Sequence, residues 1–471
     1  MGKSATAAAS AAPTAGIAGA LAFTGPLPVP MTVAFDAGRL TSDGGLVWLA
    51  EADAALGLCA ALAVALRDWR RGPVRHDLVT LVRQRVFQIA CGYEDQDDAD
   101  TLRTDPLLKL VCGRLPESGA ALASQPTLSR LENAPNGPAC YRLAVALLGV
   151  YLRERERVNG GRPPARLLLD LDGTADPTHG HQEGSAYHGY YRQHMYHPLL
   201  VFDGDTDQVV TAVLRPGAAH GSQGAVAVLA RLVRALRARW PGVRLAVRAD
   251  SGFAVPALYD WCEAQGIDYT IGLIPNPRLE TVAAPLLVEA QRQQAQTGAT
   301  KVRLAGEVQY QTDSWPVARR VVYKAEALAE GPNTRFVVTT RTEAPLALYD
   351  YYVDRGEPEG WIKDLKRACF ADRLSCHRFV ANQFRLLLHA AAYCLLAALR
   401  RWLGQRGVPR QQLDTLRRDL LKIGGWVGEH VVPVAHLTLT RVQLHLAASH
   451  PAEPLWRRLA ARPTAPRPNP P

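Results

Sequence analysis

Eight residues from Arg166 to Gly173, RLLLDLDG, constrain what this chain can fold into more than any other stretch. A short, nearly continuous apolar run bounded by turn residues reads as a strand buried on both faces, which needs a sheet with cover on each side. Side chains alternate along a strand, so Asp170 and Asp172 point the same way.

Two further strand signals follow, HPLLVFDG and VVTAVLRPG, joined by the turn residues Asp203 to Asp207. After them come a helix with an apolar stripe from about Ser222 to Arg239, the strand VRLAVRADSG ending in Asp250, the amphipathic ALYDWCEAQG and the strand DYTIGLI. Three closely connected strands and then strands alternating with helices give an α/β sheet with an antiparallel start. From Ile274 to Arg355, KVRLAGEVQYQT, ARRVVYKAEAL and TRFVVTTR are rich in Val, Tyr and Thr, so a β-rich subdomain inserted over 275–349 is expected.

Upstream the period changes to that of a helix, in GGLVWLAEADAALGL, DLVTLVRQRVFQIACG and CYRLAVALLGVYLRERER. This reads as a helical N-terminal DNA-binding domain over 31–160. Within it SQPTLSRLEN offers a Ser or Thr cap and a short helix, which suits either a DNA-contacting helix-turn-helix or a plain bundle.

The 471 residues suffice for about three domains, and the formal charge is +10. From Arg355 onward there are 19 Lys and Arg against 8 Asp and Glu, so the C-terminal quarter carries the whole excess. A clustered basic surface attracts phosphate backbones without any base contact. A basic helical region over 401–471, ending in the Pro-rich disordered APRPNPP, is expected. The eight cysteines form no C-x-x-C pair and sit in apolar runs, which fits reduced, buried thiols in the cytoplasm. The first 30 residues are weakly apolar with a single Lys near the start, so a disordered leader is expected rather than an export signal or a lipidation site. No run elsewhere reads as long and uncharged enough to span a membrane.

Hydrolysis and transfer of phosphodiesters are commonly driven by two divalent ions held by converging carboxylates. Asp172 and Asp250 stand at strand ends, where ligands of open α/β sheets collect, while Asp170 shares a strand face with Asp172 and could serve instead. A third carboxylate comes from YYVDRGEPEGWIKDLK. There Tyr352, Arg355, Glu359 and Lys366 are separated by two, three and six residues. Pro358 belongs in a first helical turn, so a helix starts near it, with Glu359 and Lys366 on one face and Tyr352 and Arg355 approaching from a loop.

These four residues, with LDLDGTADPTHG, RADSGF and RLSCHRFVANQFRLLLHAAAY, resemble a DDE transposase of bacterial insertion sequences, in the class with the Tyr-Arg-Glu-Lys signature. The resemblance runs from about Asp170 to Tyr393. It implies an RNase H-like catalytic core over 161–274 and 350–400, with Asp172, Asp250 and Glu359 as catalytic, metal-binding acids. It also implies a homodimer on double-stranded DNA, with two Mg²⁺ ions that Mn²⁺ can replace. Arg355 and Lys366 suit phosphate contacts, and Tyr352 suits hydrogen bonding or stacking. Trp315 is expected either to stack on an extruded DNA base, as an aromatic in this position of related transposases does, or to pack in the core. The stretch His179 to His197 holds five His and four Tyr and reads as an active-site rim touching DNA or as a hydrogen-bonded core loop. The alternatives to transposition are an RNase H-like nuclease that cuts without joining and a DNA-binding protein without catalysis.

Overall fold

The computed structural model describes residues 21–23, 31–34, 36–434 and 437–461. The Pro-rich tail and most of the expected leader lie outside these residues; of the leader, Leu21–Phe23 forms a strand paired antiparallel with Met31–Val33.

The centre is one mixed sheet. Strands β1 (Arg166–Gly173), β2 (Leu199–Asp203), β3 (Val209–Val213), β4 (Arg244–Ala249) and β5 (Asp268–Leu273) lie side by side as β3-β2-β1-β4-β5. The first three are antiparallel neighbours, and β4 and β5 run parallel to β1. This α/β arrangement is consistent with an RNase H-like core. The central place of β1 explains its composition, because both of its faces are covered. Leu167, Leu169 and Leu171 pack toward helices α6 (Ala225–Arg239) and α7 (Pro256–Ala264). The alternate residues Asp170 and Asp172 point to the opposite face.

Beyond β5, β6 (Lys301–Tyr310), β7 (Arg319–Leu328) and β8 (Gly331–Thr339) continue the same sheet, with β8 antiparallel to β5. The expected separate β-rich insertion is thus corrected: segment 275–349 begins with a 21-residue helix, α8 (Pro277–Thr297), and its strands extend the core. Its β-branched residues read as a sheet, but only pairing partners could show which one; the open edge of β5 accepts them. Helix α9 (Pro345–Val353) covers β7 and β8 through Leu348 and Tyr349.

The N-terminal region is a helical bundle of α1 (Leu46–Leu56), α2 (Leu58–Leu66), α3 (Leu78–Cys91), α4 (Gln125–Asn133) and α5 (Gly137–Val158) with two shorter helices. SQPTLSRLEN forms α4, whose Leu128, Leu131 and Glu132 are buried. The bundle is joined to the sheet by α11 (Phe379–Gly404), which follows α10 (Gly356–Cys369). Twenty of its 26 residues are buried, the mark of a helix enclosed on all sides. By length and composition α11 would suffice to cross a membrane, which corrects the sequence reading, and 89% of its most apolar stretch is buried inside the protein.

The last region departs from the helical expectation. Gly425–Val434 and Leu437–Leu446 form an antiparallel hairpin that also pairs with Leu40–Thr41, and only Glu453–Ala460 is a regular helix after it. Alternating Thr, Val and Leu in LTLTRVQLHL favour a pleated ladder over a helix. All eight cysteines are free, and seven are buried.

Candidate active site

Register places the first two acids together. Ala249 on β4 lies opposite Leu171 on β1, so Asp250 and Asp172 follow side by side where the two parallel strands end. The Asp250 carboxylate also caps a short turn, accepting the Gly252 amide at 2.9 Å. Asp172 is 7% exposed. Burial first, and then the Asp250 charge, pushes its carboxyl up to about 7 against the pull of Arg355.

Asp170 has a different environment. It is fully buried and held by Arg248 of β4 through a bidentate pair at 2.7 and 2.8 Å. Arg248 goes on to donate to the Tyr351 carbonyl at 2.7 Å and lies over the Tyr351 ring, which ties α9 to the sheet. Burial raises the Asp170 carboxyl, and the Arg248 hydrogen bonds oppose that rise. The ambiguity between the two acids is thus one of partners: Asp170 has both oxygens committed to a guanidinium, whereas Asp172 faces Asp250.

Helix α10 begins at Gly356, with Pro358 in its first turn as expected. Arg355 occupies the N-cap position, and Tyr352 lies in the last turn of α9. The expected loop approach of Tyr352 is corrected: Pro345 starts a separate helix that the sequence reading did not mark. Arg355 donates to Glu359 at 2.6 Å and reaches Asp172 at 3.5 Å, so it spans the two acids. Burial works against its charge, but Tyr352, Asp172, Asp250 and Glu359 together hold its pKa above the ordinary value. The Glu359 side chain is 62% exposed. Among the described residues no three acidic, His or Cys side chains converge closely enough to encircle an ion as they stand.

Lys366 lies on α10 and donates to the Ala175 carbonyl, just beyond β1. Burial lowers its ammonium pKa and raises that of the neighbouring Asp176 carboxyl. Tyr352 packs its hydroxyl onto Gly272 of β5, where an added Cβ would come within 2.4 Å of that oxygen. Gly272→Ala is therefore expected to displace Tyr352, and with it Arg355, lowering any activity of this site about 10- to 100-fold with little loss of stability. Rates and melting curves of the variant check this; an unchanged rate would show that Tyr352 does not set the site.

Trp315 follows the second of its two readings. It is 6% exposed, meets Tyr259 and Tyr310 edge-on and lies beside the Arg319 guanidinium, so it packs in the core rather than offering a stacking face. In the His179–His197 stretch, Ala186–His188 and Gln193–Tyr196 form part of a small sheet, with Tyr187 and Tyr190 exposed. Tyr191 faces the acids: burial first, then the charges of Asp172 and Asp250, raise its pKa.

Sequence reasoning missed Arg248 and Arg215, and it had His197 only as the end of the His-rich stretch. A Cβ on Gly173 would lie 2.7 Å from His197 Nε2 and 3.3 Å from Arg215 Nη2, so the imidazole and the guanidinium both close on the residue after Asp172. Arg215 donates to the carbonyls of His197 and Gly221 at 2.7 and 2.6 Å, which shapes the adjoining loop. The signals were an Arg at a strand end in VLRPG and the Gly directly after Asp172, neither specific alone.

With this geometry in view, the family model for the transposase DDE domain, group 1, matches residues 28–465. The chain belongs to the DDE transposases. Members of this family cleave DNA and generally use divalent metal ions. No curated protein matches this chain in sequence. A solved structure of a piggyBac transposase synaptic complex with hairpin DNA is similar at 12% identity and a TM-score of 0.41, over 81% of this chain and 80% of that one.

Proposed function

We propose that this DDE transposase is of the Tyr-Arg-Glu-Lys class of bacterial insertion sequences and moves DNA by cut and paste. It binds the terminal inverted repeats of its element, cleaves phosphodiesters at the ends and joins the freed 3′ ends to target DNA. The observation that carries this reading is the pair Asp172 and Asp250 at adjacent strand ends, with Arg355 spanning from Asp172 to Glu359.

Asp172, Asp250 and Glu359 are the residues that would hold two Mg²⁺ ions, with Mn²⁺ able to replace them. The donor set fits hard cations, since it is all oxygen, and an Asp172 carboxyl held at about 7 is one whose charge a cation would restore. Bound ions would supply activation of the attacking oxygen and stabilisation of the leaving one. Water is the nucleophile of the first displacement, which leaves a 3′-hydroxyl on the element. That hydroxyl attacks a target phosphodiester in the second and releases a 3′-hydroxyl of the target. Arg355 presents a planar fork suited to two phosphate oxygens. Lys366 holds the turn after β1 through Ala175 and so fixes the direction of Asp172. Tyr187 and Tyr190 offer exposed faces on which a splayed base can stack. Two copies of the chain would bring two ends together.

The test combines duplex carrying the element ends, read from the DNA flanking the gene, with Mg²⁺ and a supercoiled target plasmid. Joined products are expected. Nicks without joining would indicate a nuclease, and binding without cuts a protein that has lost catalysis. Asp250→Ala or Glu359→Ala enzyme that cuts normally would remove those acids from the site.

A pH dependence follows from Asp172, which must be unprotonated to hold a cation. Cation affinity is expected to fall about tenfold per pH unit below about 7 and to level off above it. Calorimetric Mn²⁺ titrations at pH 6, 7 and 8 measure this, and a flat profile would exclude Asp172 as a ligand.

A further inference from the structure

Far along the chain from the acids, the loop between α2 and α3 (DWRRGPVRHD) and the start of α4 enclose a cavity of about 310 Å³. Its walls carry Arg71, Arg75, Arg103 and Arg130, and among the described residues none of these four has an ion pair to a carboxylate. The hydroxyls of Ser124 and Thr127, at the start of α4, also face it. Nearby acids are engaged elsewhere. Asp68 pairs with Arg70 at 2.7 Å, Asp77 caps α3 through the Thr80 amide, and Asp100 accepts the Gln125 amide at 3.1 Å.

One wall is His76, which is 6% exposed and whose Nδ1 has no hydrogen-bond partner among the described residues. A buried ring nitrogen left without a partner is unfavourable unless something binds there. Burial, then the charges of Arg114, Arg75, Arg103 and Arg70, lowers the pKa of this imidazole. The loop is fixed before any ligand arrives: Arg70 donates to the His76 carbonyl at 2.6 Å, and Gly72 takes the left-handed φ of +82° that the turn requires.

Guanidiniums without carboxylate partners, one of which, Arg130, donates to the Thr127 hydroxyl at 3.2 Å, together with the Ser124 hydroxyl and the unpartnered His76 Nδ1, are chemistry for a phosphate. We propose that this cavity seats a backbone phosphate of duplex DNA, making it a second DNA contact built by the helical N-terminal region. Arg71, Arg75 and Arg130 are exposed at its mouth, where a duplex lying across the loop would meet them. The assignment to DNA rather than to a free phosphate rests on the reading of the chain as a transposase.

The test is equilibrium binding of the full chain to a mixed-sequence duplex of about 40 base pairs, over a range of salt concentrations. The variants are Arg75→Ala/Arg103→Ala and His76→Phe, with Arg292→Ala, on an exposed helix face and paired to Glu289, as the control. The double variant is expected to bind about tenfold more weakly, and its log-log salt slope to be shallower by about 1 for each phosphate lost. His76→Phe is expected to weaken binding while keeping the slope, and the control to change neither. Circular dichroism and melting curves must show each variant folded; Arg75→Lys/Arg103→Lys, which keeps the charge, replaces a double variant that is not. Parent-like binding and slope in the folded double variant, or an equal loss in the control, would overturn the proposal. Parent protein that does not bind duplex at all would overturn the transposase reading with it. Inorganic phosphate that shifts the His76 ring resonances without competing with duplex would show a free-phosphate site instead.

Discussion

Asp172→Asn is expected to reduce metal-dependent strand cleavage by on the order of 10³-fold while leaving the folded protein as stable as the parent or more so. Holding the ions that activate and stabilise the reacting oxygens contributes several kcal/mol to the transition state, and each ~1.4 kcal/mol is a factor of ten. The stability half of the expectation comes from the environment of Asp172, buried beside Asp250 and pushed up to about 7. The folded pKa is raised, so its ionisation costs stability as pH rises from the unfolded value toward 7, and the amide removes that cost. Asp170→Asn reverses the pattern. It leaves the Arg248 guanidinium, buried in the sheet, without its counter-charge, which costs about 3–5 kcal/mol. Cleavage rates and urea unfolding of both variants decide the matter. A stable, inactive Asp170→Asn beside an active Asp172→Asn would exchange the two roles.

The second large effect lies where the bundle meets the central helix. Glu132 of α4 is fully buried between Arg85 of α3, at 2.5 Å, and Arg385 of α11, at 3.4 Å. Arg85 also donates to the Tyr93 and Glu94 carbonyls, and Arg385 to Glu94 and Arg373. Glu132→Ala would leave two guanidiniums in the interior with one carboxylate removed, at a cost of about 3–5 kcal/mol or more. Since a whole domain is stable by only ~5–15 kcal/mol, the bundle is expected to open or the chain to lose solubility. Glu132→Gln, which keeps a hydrogen-bond acceptor of the same size, should cost less. Denaturant unfolding followed by fluorescence gives the values; a change below ~1 kcal/mol for the alanine variant would mean that the two arginines find other partners.

Much of the core was legible because its periods are strong. The buried run of β1, the strands that follow it and the stripe of α6 all lie where the sequence places them, as does Pro358 in a first turn. Less was legible where one local pattern suits two tertiary contexts. The strands after Thr300 read as a sheet of their own but complete the edge of β5, and the C-terminal hairpin, whose only formal charges are Glu429 and Arg441, lay within a region read as helical. Trp315 has a composition suited to stacking, yet three neighbours enclose it.

The sequence by itself determined which acids stood as candidates: spacing put Glu359 in a helix start with Arg355 four residues before it, and period two put Asp170 and Asp172 on one face. Tertiary structure alone distinguished that pair. Both occupy the same strand and face, so no local rule separates them, and the difference is what the neighbouring strand supplies. At Asp170 β4 offers Arg248, which binds both carboxylate oxygens, and at Asp172 its end offers Asp250, a like charge. The arginine-lined cavity has the same origin, because Arg71 and Arg75, Arg103 and Arg130 come from three separate segments whose charges converge only when α4 packs beside the loop that carries His76.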